Sequence, residues 1–300
     1  MKRKVIRQGN QAYTLTLPID WVRKNGINEN SELDVVESEK SLSISSDGTA
    51  AGKSVRVDVS EYGTGSVFRL VGALYAKGAD EIILASKKDI SPIIIKATSG
   101  LIGFALISQS KGEYVLKDVS GGNYQHLDEI FKRVFQIILS FYDAAIEDVF
   151  GKSLGKLEDV NSRDLEVNKF CLYLQRAINK MAYGDIVNGR IMFTYSYMLE
   201  KIGDEIVRAW RTNIKYGIKK SQVLKEIAEE SKEALGKAFD LYYQFNHKKI
   251  SEIYAVREKI REKSLKVEGL DGKSIRFLRH IVKIAEDAAD LNHLALMKEM

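Results

Sequence analysis

The sequence predicts a multidomain α+β chain: a small β-rich head, a small α/β module and a long all-α C-terminal part. Three observations predict it. Residues 1–50 alternate short extended segments with turn signals, and residues 53–119 mix strand-like with helix-like runs. From Tyr124 to Met300 there is no proline, and apolar residues recur every three or four positions. A chain of 300 residues has room for two or three domains of about 100–150 residues each. Its 45% hydrophobic and 29% charged residues are ordinary globular values that argue against wholesale disorder.

In the head, Lys4 to Arg7 is extended and Gly9-Asn10-Gln11 signals a turn. Tyr13-Thr14-Leu15-Thr16-Leu17 then alternates with period two, as a half-buried strand does. Pro18 ends that strand and opens a two-turn helix over Ile19 to Asn25, with Gly26 just past its end. Strands over Glu32–Glu37 and Ser41–Ser45 flank Ser38-Glu39-Lys40, a connection short enough for a hairpin. Charge is uneven here. Residues 1–25 carry six basic side chains (Lys2, Arg3, Lys4, Arg7, Arg23, Lys24) against Asp20, whereas residues 26–50 carry six acids against Lys40. A basic cluster at one end of a small domain suits a phosphate-contacting surface, though a solvated basic terminus has the same composition.

The polar run Ser45 to Gly52 reads as a linker. Beyond it the pattern predicts a strand over Ser54–Val59, a helix over Ser66–Ala76 and a strand over Glu81–Ala85. A helix or strand over Ile90–Ser99 follows, then strands over Gly103–Ser108 and Glu113–Val119. No Gly-rich phosphate loop and no His/Cys cluster lies in residues 53–119, which leaves a structural and a ligand-sensing role both open.

After Ser120-Gly121-Gly122-Asn123 a strong amphipathic helix runs to Val149. Further helices cover about 161–186, 192–215, 219–247, 249–266 and 273–298, broken by Gly or polar residues. Six antiparallel helices with short connections predict two stacked three-helix bundles, with a single larger bundle or solenoid as the alternative. Two acidic pairs at one-turn spacing stand out, Glu200/Asp204 and Glu286/Asp290. Both are expected on the outer surface, opposite the apolar stripes of their helices. A hard cation, or a softer divalent metal using nearby His293, would relieve their repulsion, and an ordinary solvated face has the same spacing.

Enzymatic readings find little support. His126, His247, His280 and His293 are scattered, none in a nucleophile or zinc motif, and a di-iron bundle would need two Glu-x-x-His motifs where only Asp290-x-x-His293 is present. No organic cofactor is expected. The longest apolar run, Leu101 to Ile107, is far short of the roughly 20 residues of a membrane span. The basic opening is not followed by the apolar core of a secretory signal, and the lone Cys171 sits in an apolar helical pattern. The expected compartment is the cytoplasm.

The head resembles the AbrB/SpoVT/MazE swapped-hairpin DNA-binding domains. Val5 to Asn10, Tyr13 to Val22 and Asn25-Gly26-Ile27 carry the likeness, and Asn30-Ser31 departs from the usual Gly-Asp. The resemblance implies a dimer, because one chain's four strands cannot bury both faces. It also implies DNA contacts from Lys2, Arg3, Lys4 and Arg7, with Arg23 and Lys24 secondary. The helical part resembles the PhoU family of phosphate-uptake regulators. Leu199-Glu200-Lys201-Ile202-Gly203-Asp204-Glu205 carries this likeness closely. Ile281 to Asp287 carries it less well, with its acidic pair slipped one turn to Asp290, and Asp164 to Asn168 is similar to that family's acidic second helix. The PhoU likeness implies divalent or iron-type metal ions at Glu200, Asp204, Glu286 and Asp290.

Together these readings assign residues 1–47 to DNA binding and dimerisation and residues 53–119 to the α/β module. Residues 123–300 become a six-helix domain with repeats at about 123–216 and 218–300. The expected function is phosphate-responsive transcriptional regulation, with metal, phosphate or a partner sensed by the helices. Two alternatives stay open: an adaptor that docks a phosphate transporter or signalling kinase without binding DNA, and an antitoxin-like role, which the long helical part disfavours.

Overall fold

The computed structural model describes residues 2–9, 12–38, 41–46, 53–121, 124, 126–151, 155–180 and 185–300. The linker read at Ser45–Gly52 and the turns at Gly9–Gln11 and Ser38–Lys40 lie largely outside them. The chain divides into two compact units, Met1–Gly52 and Lys53–Met300.

In the first unit β1 (Val5–Gln8) pairs antiparallel with β2 (Ala12–Leu15), Val5 opposite Leu15 and Gln8 opposite Ala12. The second strand stops two residues short of the expected end, before Pro18, which has no N–H to give a ladder. Pro18 occupies the N-cap of α1 (Ile19–Lys24), one position earlier than expected. Gly26 takes a left-handed φ of 64°, and Ile27 N–H closes on Val22 O at 3.0 Å, a Schellman end. A second antiparallel hairpin joins β3 (Asp34–Ser38) to β4 (Ser41–Ser45).

The second unit begins with β5 (Ser54–Asp58), α2 (Thr64–Lys77), β6 (Glu81–Ala85), α3 (Ser91–Ser99), β7 (Phe104–Ser110) and β8 (Glu113–Asp118). The sheet order is β5-β6-β8-β7, with β5 and β6 parallel across the α2 crossover and the other pairs antiparallel. The ambiguous segment at 90–99 is a helix, begun by Ser91-Pro92, where proline is tolerated in the first turn. Val67, Val71 and Tyr75 of α2 and Ile94 of α3 bury against Ile82, Leu84 and Leu116 of the sheet, one side of a two-layer core.

Six helices follow: α4 (Leu127–Phe150), α5 (Leu157–Asn179), α6 (Ile186–Tyr216), α7 (Gln222–Tyr243), α8 (His247–Leu265) and α9 (Gly272–Glu299). Asp185, Ser221, Asn246 and Asp271 cap α6 to α9 through side-chain oxygens, satisfying N–H groups that have no partner within the helix. Helices α4, α5 and α6 pack on one another, as do α7, α8 and α9, and the two sets meet most extensively along α6 and α9. One hydrophobic core runs through both, with Phe131, Phe135, Tyr195 and Tyr242 in edge or tilted ring contacts near its centre. Gly203 lets α6 approach α5: a Cβ there would stand 3.1 Å from Val167 Cγ1.

Helix α2 lies against α5, and the joint is polar at its centre. Arg176 of α5 is 1% exposed. Its Nη1 donates to Tyr75 O (2.9 Å), in the last turn of α2, and to Ala79 O (2.7 Å), just past the helix. Its Nη2 donates to Asp118 (2.7 Å) and Asp80 (3.2 Å). The guanidinium also lies 4.9 Å from the Tyr75 ring and 5.2 Å from that of Phe104. Asn179 Nδ2 adds a bond to Ala76 O at 2.8 Å, and Lys180 pairs with Asp80. Burial works to raise the Asp118 carboxyl, but Ser120 and Arg176 together hold it below its usual 3.8.

Removing the cation while leaving these acceptors buried is the costly way to break such a pair. Arg176→Met is expected to lose about 3–5 kcal/mol of stability in chemical denaturation near neutral pH. Because the folded Asp118 pKa is depressed, its contribution is complete above 3.8 and fades as pH falls through the lower folded value. The gap between wild type and Arg176→Met should therefore narrow in acid.

Candidate nucleic-acid interface

The head has no interior of its own. None of the described side chains between residues 2 and 46 is buried, and every residue of β1 and β2 is exposed. The exposure includes residues chosen for burial: Tyr13 at 71%, Leu42 at 64%, Val5 at 60% and Ile6 at 59%. Val5 and Ile6 are sequence neighbours on a strand, so they point to opposite faces, and both faces of β1 are apolar and open. Each hairpin pairs only with itself among the described residues. A segment this short cannot bury enough surface to stand alone and needs a second surface to cover it.

The basic residues sit on this open framework. Lys2, Arg3 and Lys4 lead into β1, and Arg7 lies within it, opposite Tyr13. Thr14 Oγ1 donates to Gln8 Oε1 at 2.9 Å across the hairpin, tying the strand that carries Arg7 to its neighbour. All six candidate contacts are exposed. Among the described residues, Lys2, Arg3, Lys4, Arg23 and Lys24 enter no ion pair, and Glu29, Glu32 and Glu37 do not reach them. The positive charge of the strand entrance is therefore not neutralised by the acidic half of the head. Arg23 and Lys24 occupy the last turn of α1, where a cation is favourable to the helix end itself, so these two have a local role independent of any ligand.

The family described as "Antidote-toxin recognition MazE, bacterial antitoxin" matches residues 6–46. Those residues are a MazE/AbrB-like domain. The match begins at β1 and ends after β4, so it takes in both hairpins and α1. No curated protein matches the chain. A MazE/AbrB-like domain suggests a DNA-binding regulatory role, and no helix among the described residues is long and apolar enough to cross a membrane.

Of the acidic pairs in the helical part, Glu200/Asp204 is placed differently from expectation, while Asp290 of the second pair is exposed as expected. Helix α6 is flanked by α5 and α9, so the stripe bearing Glu200 and Asp204 is half covered rather than outermost, with 30% and 26% of these side chains exposed. Asp204 is held by Arg208 at 2.7 Å and approached by Lys201 at 3.7 Å. Among the described residues, the cation within ion-pair distance of Glu200 is Lys201, at 4.0 Å. Burial pushes the Glu200 carboxyl up, with Asp204 and Asp164 adding to the effect and Lys201 and Arg208 opposing it. In the second bundle Glu286 accepts from Arg261 Nε and Nη2 at 3.0 and 2.8 Å, while Asp290 and His293 are exposed. Among the described residues no three His, Cys, Asp or Glu side chains gather as a metal site.

Several polar contacts were not foreseen from sequence. Beside Arg176 there are His280 Nδ1 with Glu205 Oε2 at 2.6 Å, Lys283 with Asp287 at 2.6 Å, and Trp210 Nε1 with Asp148. Lys283 and Asp287 are one turn apart on a single helix, a spacing visible in the sequence, whereas for the other two nothing local names the partner. Cys171 is buried, as its pattern implied, and burial raises its thiol pKa, which makes it a poor nucleophile.

Proposed function

We propose that this chain is a dimeric DNA-binding regulator and not an enzyme, with a MazE/AbrB-like head for DNA and a helical part that receives a signal. The observation that carries this reading is the basic entrance to β1, exposed and unpaired with the head's own acids, on a hairpin whose two faces lack a core. Two copies would cover the apolar faces and bring two basic entrances into one surface. Phosphate contacts of this kind position a protein on DNA without reading its bases. The adaptor alternative loses ground because, among the described residues, Lys2, Arg3, Lys4, Arg23 and Lys24 form no ion pair with Glu29, Glu32 or Glu37.

The finer reading is a regulator of phosphate uptake, acting in the cytoplasm. It is supported by the likeness of Leu199 to Glu205 to the PhoU repeat, in which Gly203 serves close helix packing. Metal at Glu200/Asp204 or Glu286/Asp290 belongs to the same reading. Elemental analysis of purified protein beside a Glu200→Ala, Asp204→Ala double variant tests it, and unchanged metal content would remove it.

Two further outcomes are expected. Leu15→Asp with Leu42→Asp should convert the protein to monomer in sedimentation velocity while its helical circular dichroism persists; an unchanged dimer would show that the head is not the dimer interface. Fluorescence anisotropy on DNA from the gene's own upstream region should show binding that weakens by orders of magnitude between about 50 and 200 mM salt, as counterion release requires. Lys4→Ala with Arg7→Ala should weaken binding at least tenfold and flatten that salt dependence. No binding at low salt, or binding indifferent to the double variant, would overturn the DNA reading.

A further inference from the structure

Between the α/β module and the first helical bundle lies a cavity of about 300 Å³. Small residues make it: Gly72 and Ala76 of α2 face Leu172 of α5, and a Cβ on Gly72 would still stand 3.8 Å from Leu172 Cδ1. A space of this size along packed elements is large enough to hold a small molecule. It lies within the range of small-molecule sites, which favour interfaces and combine apolar walls with a few converging polar groups.

Four polar side chains line this cavity: Arg69, Asn168, Gln175 and Glu200. Gln175 is 7% exposed, yet its amide makes no hydrogen bond within the protein. A bound ligand's polar group would meet this amide in place of water. Arg69 of α2 lines the cavity and enters no ion pair. Glu200 of α6 also lines it, and no cation lies nearer to it than Lys201 at 4.0 Å. One wall is therefore apolar, and the polar part offers a cation, an anion and two amides.

We propose that this cavity binds a small zwitterion with an apolar body, the class of an apolar α-amino acid. The Arg69 guanidinium would take the carboxylate, the Glu200 carboxylate the ammonium group, and the Gln175 amide a remaining hydrogen bond. The side chain of the ligand would lie against Ala76 and Leu172. Such a ligand bridges α2 to α5 and α6, so it would bias how firmly the module is held on the bundle. The site stands apart from the DNA-binding reading: loss of one leaves the other intact.

The test is calorimetric titration and thermal melting of the full-length protein with L-leucine and L-phenylalanine. Isoamylamine and 4-methylpentanoate serve as single-charge analogues. Saturable binding by at least one amino acid, with a raised Tm and at least tenfold weaker binding of both analogues, is expected. Glu200→Gln and Arg69→Ala should each weaken amino-acid binding at least tenfold, and Gly72→Leu, which fills the space, should abolish it. If Gly72→Leu does not fold, the two charge variants carry the test, since Arg69 is exposed and Glu200 half-buried. No shift with either amino acid overturns the proposal. So does an analogue that binds as tightly as the amino acid, or binding that survives both charge variants.

Discussion

The guanidinium of Arg176 is where the larger unit is joined. It stands at the end of α2 and donates to the carbonyls of Tyr75, in the helix's last turn, and Ala79, just past its cap. Its charge is favourable there, at the negative end of the helix, and is balanced by Asp118 and Asp80 from the sheet side of the module. Taking a cation out of water is expensive, and only a complete set of partners in the right directions offsets it. A planar fork of donors meets that demand where the point charge of a lysine would not. The bond set therefore fixes position as well as contact. The end of α2, the last strand and α5 can satisfy Arg176 in few other arrangements, and the cavity along α2 and α5 takes its shape from that docking.

The head follows the opposite logic. Its strands carry apolar residues on both faces and none of its described side chains is buried, so its information is spent on a surface that another surface must complete. The arrangement is self-consistent for a domain that matches a MazE family over both hairpins. A short chain with its own closed core would have its faces turned inward. Leaving them open keeps the hairpins free for association and keeps the basic entrance of β1 at the exterior.

Much of this was legible in the sequence because its signals are local. Alternation at Tyr13 to Leu17, Pro18 and Gly26 fixed the order of the head to within a residue or two. The three-to-four spacing from Leu127 to Val149 did the same for the first long helix. The segment at Ile90–Ser99 was ambiguous because a run of Ile-Ile-Ile suits a strand, and the decision came from Ser91-Pro92 and from packing of Ile94 on the sheet. Arg176 was not legible. Its partners Tyr75, Ala79, Asp80 and Asp118 lie 58 to 101 residues away, and no period connects them. An arginine in an apolar stripe announces that it is unusual without saying what it meets.

Glu200 and Asp204 show the limit most clearly. In sequence they are equivalent, one turn apart on one face of one helix, and spacing alone makes them a pair. Folded, they have different employment: Asp204 is engaged by Arg208, while Glu200 borders the cavity under the α/β module. A helix is long enough to pass beneath one neighbour for a single turn and another for the next, so periodicity assigns a residue to a face but not to what covers that face. What Glu200 can do is decided by α2, an element in the region whose sequence carries the least recognisable chemistry. The strongest motif of the chain thus takes part of its meaning from its least distinctive segment, through the contact that Arg176 holds in place.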